Sequence, residues 1–493
     1  MNCPHTLAAA ALMALIAPMA VEAQERVCDF SSRGRTEQVD RGGTQLILLY
    51  DPFEVICTDG AVLRANSGTL NRALGEMNLV GNVFFEDEAQ TLSSNNAIYN
   101  SGLGRLYATG DVVFRDRVEG STLTGPELEY YRALPERPEA QVLARQRPHL
   151  TLQPRDTDPE GEPLEVDADQ VMIMGQDRLD ATGDVVITRP DMRATAAQAD
   201  YDAITGGLDL RGDAAIVSED YRLAGEVVKA RLVEGAIEHV HARTNASLAG
   251  DRLSVTAPDL QLFFAEELLQ RAVARGDRPA APDSAGPDRS GEARQRAVAF
   301  SGSFRLESDS LEAMIPGQQL EQIVAIGNAR GETIDTLTAT FAATPGDQGA
   351  PIPAKRAAPL LGSDWISGDT IIGFFALADS VPEDSVAADI VVADTVANDT
   401  AGAAPAGEPE TVLKRVLAKG SAQSLYRLAP AEDATDDRRG ANFLVGDIID
   451  LTFEEGELAL ADVTGLKRGL HLDPVPAAEP APDPDATGAA NDR

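Results

Sequence analysis

The chain has 493 residues, enough for two or three domains, and its 43% hydrophobic content is sufficient to build real cores. Its formal net charge is −37, from 79 acidic against 42 basic residues. That balance excludes sequence-independent nucleic-acid binding, which needs clustered Lys and Arg to neutralise phosphates, so no nucleic-acid partner is expected.

At the N-terminus, the apolar run from Leu7 to Val21 has the length of a signal peptide and is short for a bilayer span. Val21-Glu22-Ala23 places small residues at the cleavage positions, so residues 1–23 read as a signal peptide and Gln24 as the first mature residue. The segment before the run lacks Lys and Arg, which keeps an uncleaved anchor as the alternative. Cleavage leaves Cys28 and Cys57. In an oxidising compartment such a pair favours one disulfide, closing a loop of roughly 30 residues worth about 3.5 kcal/mol in the chain-entropy model. Two buried thiols are the alternative.

Downstream, a glycine-centred segment recurs. "MNLVGNVFF" is followed by "RLYATGDVVF", with Gly110 29 residues after Gly81. "RLDATGDVVI" and "LDLRGDAAIV" follow, with Gly212 29 residues after Gly183. Weaker copies are "HVHARTNASL", "AVARGD" at Gly276, "IVAIGNA" at Gly327 and "RVLAKGSA" at Gly420. The spacing of about 30 residues is that of a repeat architecture. Between the copies lie partner segments such as "LSSNNAIY", "ATAAQADY" and "LSVTAPDLQLFF", joined to them by Gly/Asn/Asp-rich turns, a hairpin signal. The expectation is an all-β chain of roughly 16 to 20 antiparallel strands with almost no helix.

Alternate residues of a strand share a face. In the glycine segments one face carries Met77, Leu79, Gly81, Val83 and Phe85, then Leu106, Ala108, Gly110, Val112 and Phe114. The same face later carries Leu179, Ala181, Gly183, Val185 and Ile187. The opposite face is mixed. Glycine inside a strand marks a bend or bulge, so glycines stacked in register predict strands creased at one level around an apolar interior.

Low-complexity acidic or Pro/Ala-rich stretches punctuate the chain. They divide it into a first β-module at 24–275, a linker at 276–297 and a second, divergent β-module at 298–472. The second module carries disordered insertions at 344–359 and 378–409, and a disordered tail runs over 473–493.

Residues 92–114 and 194–216 approximate a pattern of an apolar residue, spaced alanines, a tyrosine, a Gly-containing turn and then L-x-A-x-G-x-V, with Ser94 for the first alanine in one and Leu210 and Ala214 for the last alanine and the valine in the other. This resembles the OstA-like repeat of the LptA family of periplasmic lipopolysaccharide-transport proteins, over residues 60 to 265 and thinly beyond. The resemblance implies a creased antiparallel β-jellyroll, a "β-taco", whose interior holds lipid A acyl chains. It also implies modules that abut edge to edge, with self-association as one outcome. Its partners would be an inner-membrane ABC-transporter complex and an outer-membrane barrel. On that footing, Met77, Leu79, Val83, Phe85, Leu106, Val112, Phe114, Leu179, Val185 and Ile187 are expected to line a groove for lipopolysaccharide or a similar multi-acyl lipid. A charge at Phe114 is expected to abolish lipid capture and leave the protein folded. A closed dry core, as in a secreted structural or adhesive repeat protein, is the rival, because alternation shows burial and not a cavity.

No catalytic constellation stands out, and neither enzymatic activity, a cofactor nor a metal is expected. His239 and His241 share a strand face without a third ligand nearby, and read as a solvated face. Asp167 and Asp169 are spaced to share a face, but acidic residues at this place in the repeat read as surface positions. A β-solenoid polysaccharide-active enzyme would need a carboxylate cluster that the sequence does not assemble. Arg105, Arg115 and Arg117 read as a solvated strand edge.

Overall fold

The computed structural model describes residues 28–32, 35–58, 60–153, 163–190, 192–233, 236–250, 252–277, 294–302, 304–333, 364–377, 411–427, 441–454 and 457–472. These residues are all-β, antiparallel and jellyroll-like, without an α-helix among them and with one 3-10 turn at Pro316–Gln318. The expected signal peptide (1–23), both insertions (344–359 and 378–409) and the tail (473–493) lie outside the described residues. The chain divides into two compact units, Met1–Gly120 and Ser121–Arg493.

The first unit contains β1 (Cys28–Ser32), β2 (Thr36–Arg41), β3 (Thr44–Leu49), β4 (Phe53–Cys57) and β5 (Val62–Ala65). It continues with β6 (Ser67–Asn71), β7 (Glu76–Glu86), β8 (Gln90–Asn100) and β9 (Arg105–Asp116). Strand β7 shows the organising device. Its residues before Gly81 pair with β6, and its residues after Asn82 pair with β5. Each long strand therefore runs through two limbs of sheet, a first limb before the glycine and a second limb after it.

The second unit repeats the device over more strands. It opens with β10 (Thr122–Tyr131), β11 (Gln141–Arg145), β12 (His149–Leu152), β13 (Leu164–Asp167) and β14 (Gln170–Met174). Then come β15 (Arg178–Arg189), β16 (Met192–Asp202), β17 (Gly207–Ser218), β18 (Tyr221–Val233), β19 (Ala236–Gly250) and β20 (Ser254–Ala265). They are followed by β21 (Leu268–Arg275), β22 (Ala297–Ser301), β23 (Phe304–Ser308), β24 (Ser310–Met314) and β25 (Gln322–Thr333). The unit ends with β26 (Trp365–Leu377), β27 (Thr411–Arg427), β28 (Ala441–Glu454), β29 (Glu457–Thr464) and β30 (Arg468–Leu472). The strands outnumber the expected 16 to 20 because the crease cuts several runs in two, as Asn66 does between β5 and β6 and Asp309 between β23 and β24.

The crease is a bulge repeated from strand to strand. Gly81 and Asn82 take φ of 80° and 48°, Gly110 and Asp111 take 79° and 49°, and Gly183 and Asp184 take 79° and 41°. The register shifts by one at each place: Val80 pairs with Asn96 and Val83 with Ser94, so two residues face Asn95 alone. A left-handed pair opposite one residue bends the strand. Asn and Asp are among the few residues with side chains that tolerate the second position. Space as well as φ requires the glycine at Gly183, where a Cβ would overlap the Asp169 carboxylate lying over it.

At some creases both left-handed residues carry side chains. Gln146 and Arg147 (φ 67° and 59°) separate β11 from β12, and Thr244 and Asn245 (60° and 55°) bend β19. The first of these copies carries none of the glycine signature by which the repeat was read.

The glycine strands keep one parity on the buried face through the bulge, whereas their partners change parity there. In β8 the buried residues are Leu92 and Ser94 before the crease and Ala97 and Tyr99 after it, with Asn95 and Asn96 both exposed. The same two-residue step occurs in β16, between Ala196 and Ala199, and in β20, between Ala257 and Leu260. Small residues flank the bend on the buried side.

Residues 276–297, expected as an interdomain linker, do not divide the ladder. β21 pairs with Asp259–Ala265 of β20, and β22 pairs with Ser254–Thr256 of the same strand. The segment is an insertion at the crease, and its ends meet through the Asp277 N–H to the Gln295 carbonyl at 2.9 Å. The first compact unit ends instead at Gly120, inside the expected first module.

Candidate functional site

Every one of the ten residues expected to line the interior is buried, from 0% exposure at Phe85 to 7% at Leu179. In the first unit the register brings seven of them onto adjacent strands. Met77 faces Tyr99 and Leu79 faces Ala97 across β7 and β8, in the first limb. Tyr99 in turn faces Leu106, and Ala97 faces Ala108. In the second limb Val83 faces Ser94, while Leu92 lies between Phe85 and Phe114. Val112 shares this buried face. The other three belong to the second unit. There Leu179 faces Ile173 and Tyr201, Val185 faces Ala196, and Ile187 faces Val166 and Ala194.

The two limbs of one unit touch through their inner faces. A Cβ on Gly68 of the first limb would lie 2.9 Å from the ring of Phe53 in β4, a strand of the second limb. At that contact the inner faces of the two limbs are packed directly together. This changes the expectation for Phe114. At 4% exposure opposite Leu92, a carboxylate there would lose its hydration without gaining a partner, so the fold would not be spared.

In the second unit, aromatic residues at the strand ends carry the alternation of the inner face out to its rim. Tyr221, at the second-limb tip of β18, stacks against Phe264, at the first-limb tip of β20, with ring centroids 5.7 Å apart. Tyr426 of β27 and Phe453 of β28 repeat the arrangement at 6.1 Å. The Tyr426 phenol is pushed above its ordinary value by burial and then by the charge of Asp364, and so stays neutral. Between these pairs, the turn at Pro316–Gln318 reaches over: Gln318 Nε2 donates to Asp220 Oδ2 at 2.8 Å, and Arg252 donates to the Gln318 carbonyl at 3.2 Å. The two ends of that Gln318–Asp220 bond are 98 residues apart in the chain, so no local pattern announces them.

The outer face is charged and paired. Arg117 bonds Glu86 at 2.8 Å, Arg145 bonds Glu129 at 2.9 Å, and Arg415 bonds Asp450 at 2.8 Å. His241 pairs with Asp259 at 2.7 Å, and His239 stacks on Phe263 at 4.8 Å. Burial, and then the neighbouring His241, hold His239 below its ordinary value. Asp167 bonds His149 at 3.0 Å, whereas Asp169 sits at the crease with Arg147 at 3.2 Å; the two carboxylates have separate partners. Cys57 is disulfide-bonded, and the backbone register of β1 and β4 sets it directly opposite Cys28.

No family model matches the chain, and no curated protein matches it.

Proposed function

We propose that this protein is a periplasmic lipid carrier that shields the acyl chains of lipopolysaccharide, or of a similar multi-acyl lipid, on the way to the outer membrane. The observation that carries this reading is the inner face itself. In both units it is apolar from strand to strand, and among the described residues it is enclosed by two limbs whose strands run from one to the other across a line of bulges. Two limbs hinged on a crease can part and close, whereas a sandwich of separate sheets has no such hinge. Each methylene kept from water is worth about 0.8 kcal/mol, so a 12-carbon chain represents on the order of 10 kcal/mol. The resemblance of residues 92–114 and 194–216 to the OstA-like repeat supports the same reading. It also names the expected partners, an inner-membrane ABC-transporter complex and an outer-membrane barrel.

One observation favours a second reading, a structural repeat protein with a dry interior: all ten expected lining side chains are buried. Native mass spectrometry of the protein purified from a lipopolysaccharide-producing host separates the two. The carrier reading predicts co-purifying lipid A or another multi-acyl lipid. A lipid-free spectrum, with no uptake when lipopolysaccharide is added, would leave the dry-core protein.

A further inference from the structure

We propose that the acyl chain enters the second unit sideways, through the mouth between the limb tips, and that the turn carrying Gln318 is the latch on that entrance. This rests on the lipid-carrier reading and specifies its route.

The crease cannot be the way in. Long strands such as β17 and β18 cross it as continuous backbone, and ladder bonds resume directly on both sides, at Arg211–Val227 and Ala214–Gly225. The ends of the ladder are a poor way in as well. A chain threading from an end would have to pass the buried inner-face side chains of one strand after another.

The mouth is held differently. It is spanned by side-chain contacts between turns: Gln318 on Asp220, and Arg252 on the Gln318 carbonyl. Along the ladder the latch is flanked by two aromatic pairs, Tyr221 with Phe264 and Tyr426 with Phe453. Each pair joins a second-limb tip to a first-limb tip, and flat rings of this kind can exchange a ring neighbour for an acyl chain.

A separate observation points to the same line. Ser301 Oγ, at the second-limb tip of β22, and Thr411 Oγ1, at the first-limb tip of β27, are buried and make no hydrogen bond. They belong to one crossing, since a Cβ on Gly302 would lie 3.9 Å from the Thr411 carbonyl oxygen. Buried hydroxyls without partners weaken the closed state, and parting the tips lets water satisfy them. At this crossing the closed mouth is therefore under-satisfied.

The test locks the latch in the folded protein. Asp220→Cys with Gln318→Cys is bridged by a short bis-maleimide, and uptake of lipopolysaccharide labelled with a fluorophore on its sugar is followed over time. The wild type, treated with the same reagent, is the control. Sideways entry predicts that the bridged protein loses uptake, and that the unbridged double variant, lacking the latch bond, takes up lipid faster than the wild type. Equal uptake by bridged and unbridged protein would overturn the lateral entrance and leave the carrier reading standing. Absence of uptake by the wild type itself would overturn the carrier reading, and the entrance with it.

Discussion

The crease and the mouth border the same interior from opposite sides. At the crease, backbone does the joining: a left-handed pair on one strand faces a single residue on the next, and a side chain covers the glycine, Asn66 at Gly81, Asn95 at Gly110 and Asp169 at Gly183. At the mouth, side chains do the joining, from turns that lie far apart in the chain. The difference separates a permanent joint from a separable one. It also explains how a protein with a fully packed interior can be proposed to admit a lipid.

Four substitutions test that contrast, in decreasing order of effect. Phe114→Asp buries a carboxylate that serves neither border. It is expected to unfold the first unit, at a loss of about 4 kcal/mol or more, read as collapse of the first unit's tertiary signal in a urea titration. A stably folded Asp variant would mean that the interior is open to water. Gly183→Val forces a β-branched residue into a left-handed bulge already covered by Asp169, and should cost about 3 kcal/mol. Adding Asp169→Gly should recover only the steric share; full recovery would show that φ at the crease is unimportant.

At the mouth, Tyr221→Ala should cost only about 1 to 2 kcal/mol. It should instead speed amide exchange locally in residues 218–221 and 315–321, where Gly183→Val acts globally. If both variants raised exchange uniformly, the joint and the mouth would not be distinct. The smallest effect concerns pH. The folded state prefers a neutral His239, so its contribution is complete above the ordinary value of 6.5 and declines as pH falls through the lowered value. His239→Gln should flatten the fall in denaturation midpoint between about pH 7 and pH 5. An unchanged slope would place the acid sensitivity elsewhere.

The crease was legible in the sequence because it needs a scarce residue type at a fixed place. Gly81, Gly110, Gly183 and Gly212 mark it, and period two reads correctly through them, which is why the ten interior positions could be named. The partner strands were less legible. The step between Ser94 and Ala97 breaks the alternation, so a strict period-two reading puts half of β8 on the wrong face. The Gln146–Arg147 crease was hidden because its left-handed pair has no glycine. Residues 276–297 resembled a domain boundary in composition, yet their two ends meet at the crease, where an insertion leaves the ladder intact. The mouth was not legible at all. Asp220, Arg252 and Gln318 are ordinary turn residues until three distant turns come together.

The most direct measurement is photo-crosslinking in cells that make radiolabelled lipopolysaccharide. A benzoylphenylalanine replaces, one at a time, the inner-face residues Phe85 and Ile187 and the opposite-face residues Tyr107 and Val186. Lipopolysaccharide adducts at Phe85 and Ile187, and none at Tyr107 and Val186, are the predicted result. Adducts missing from the inner positions, or equally strong on the outer face, would contradict a lipid site inside the creased sheet.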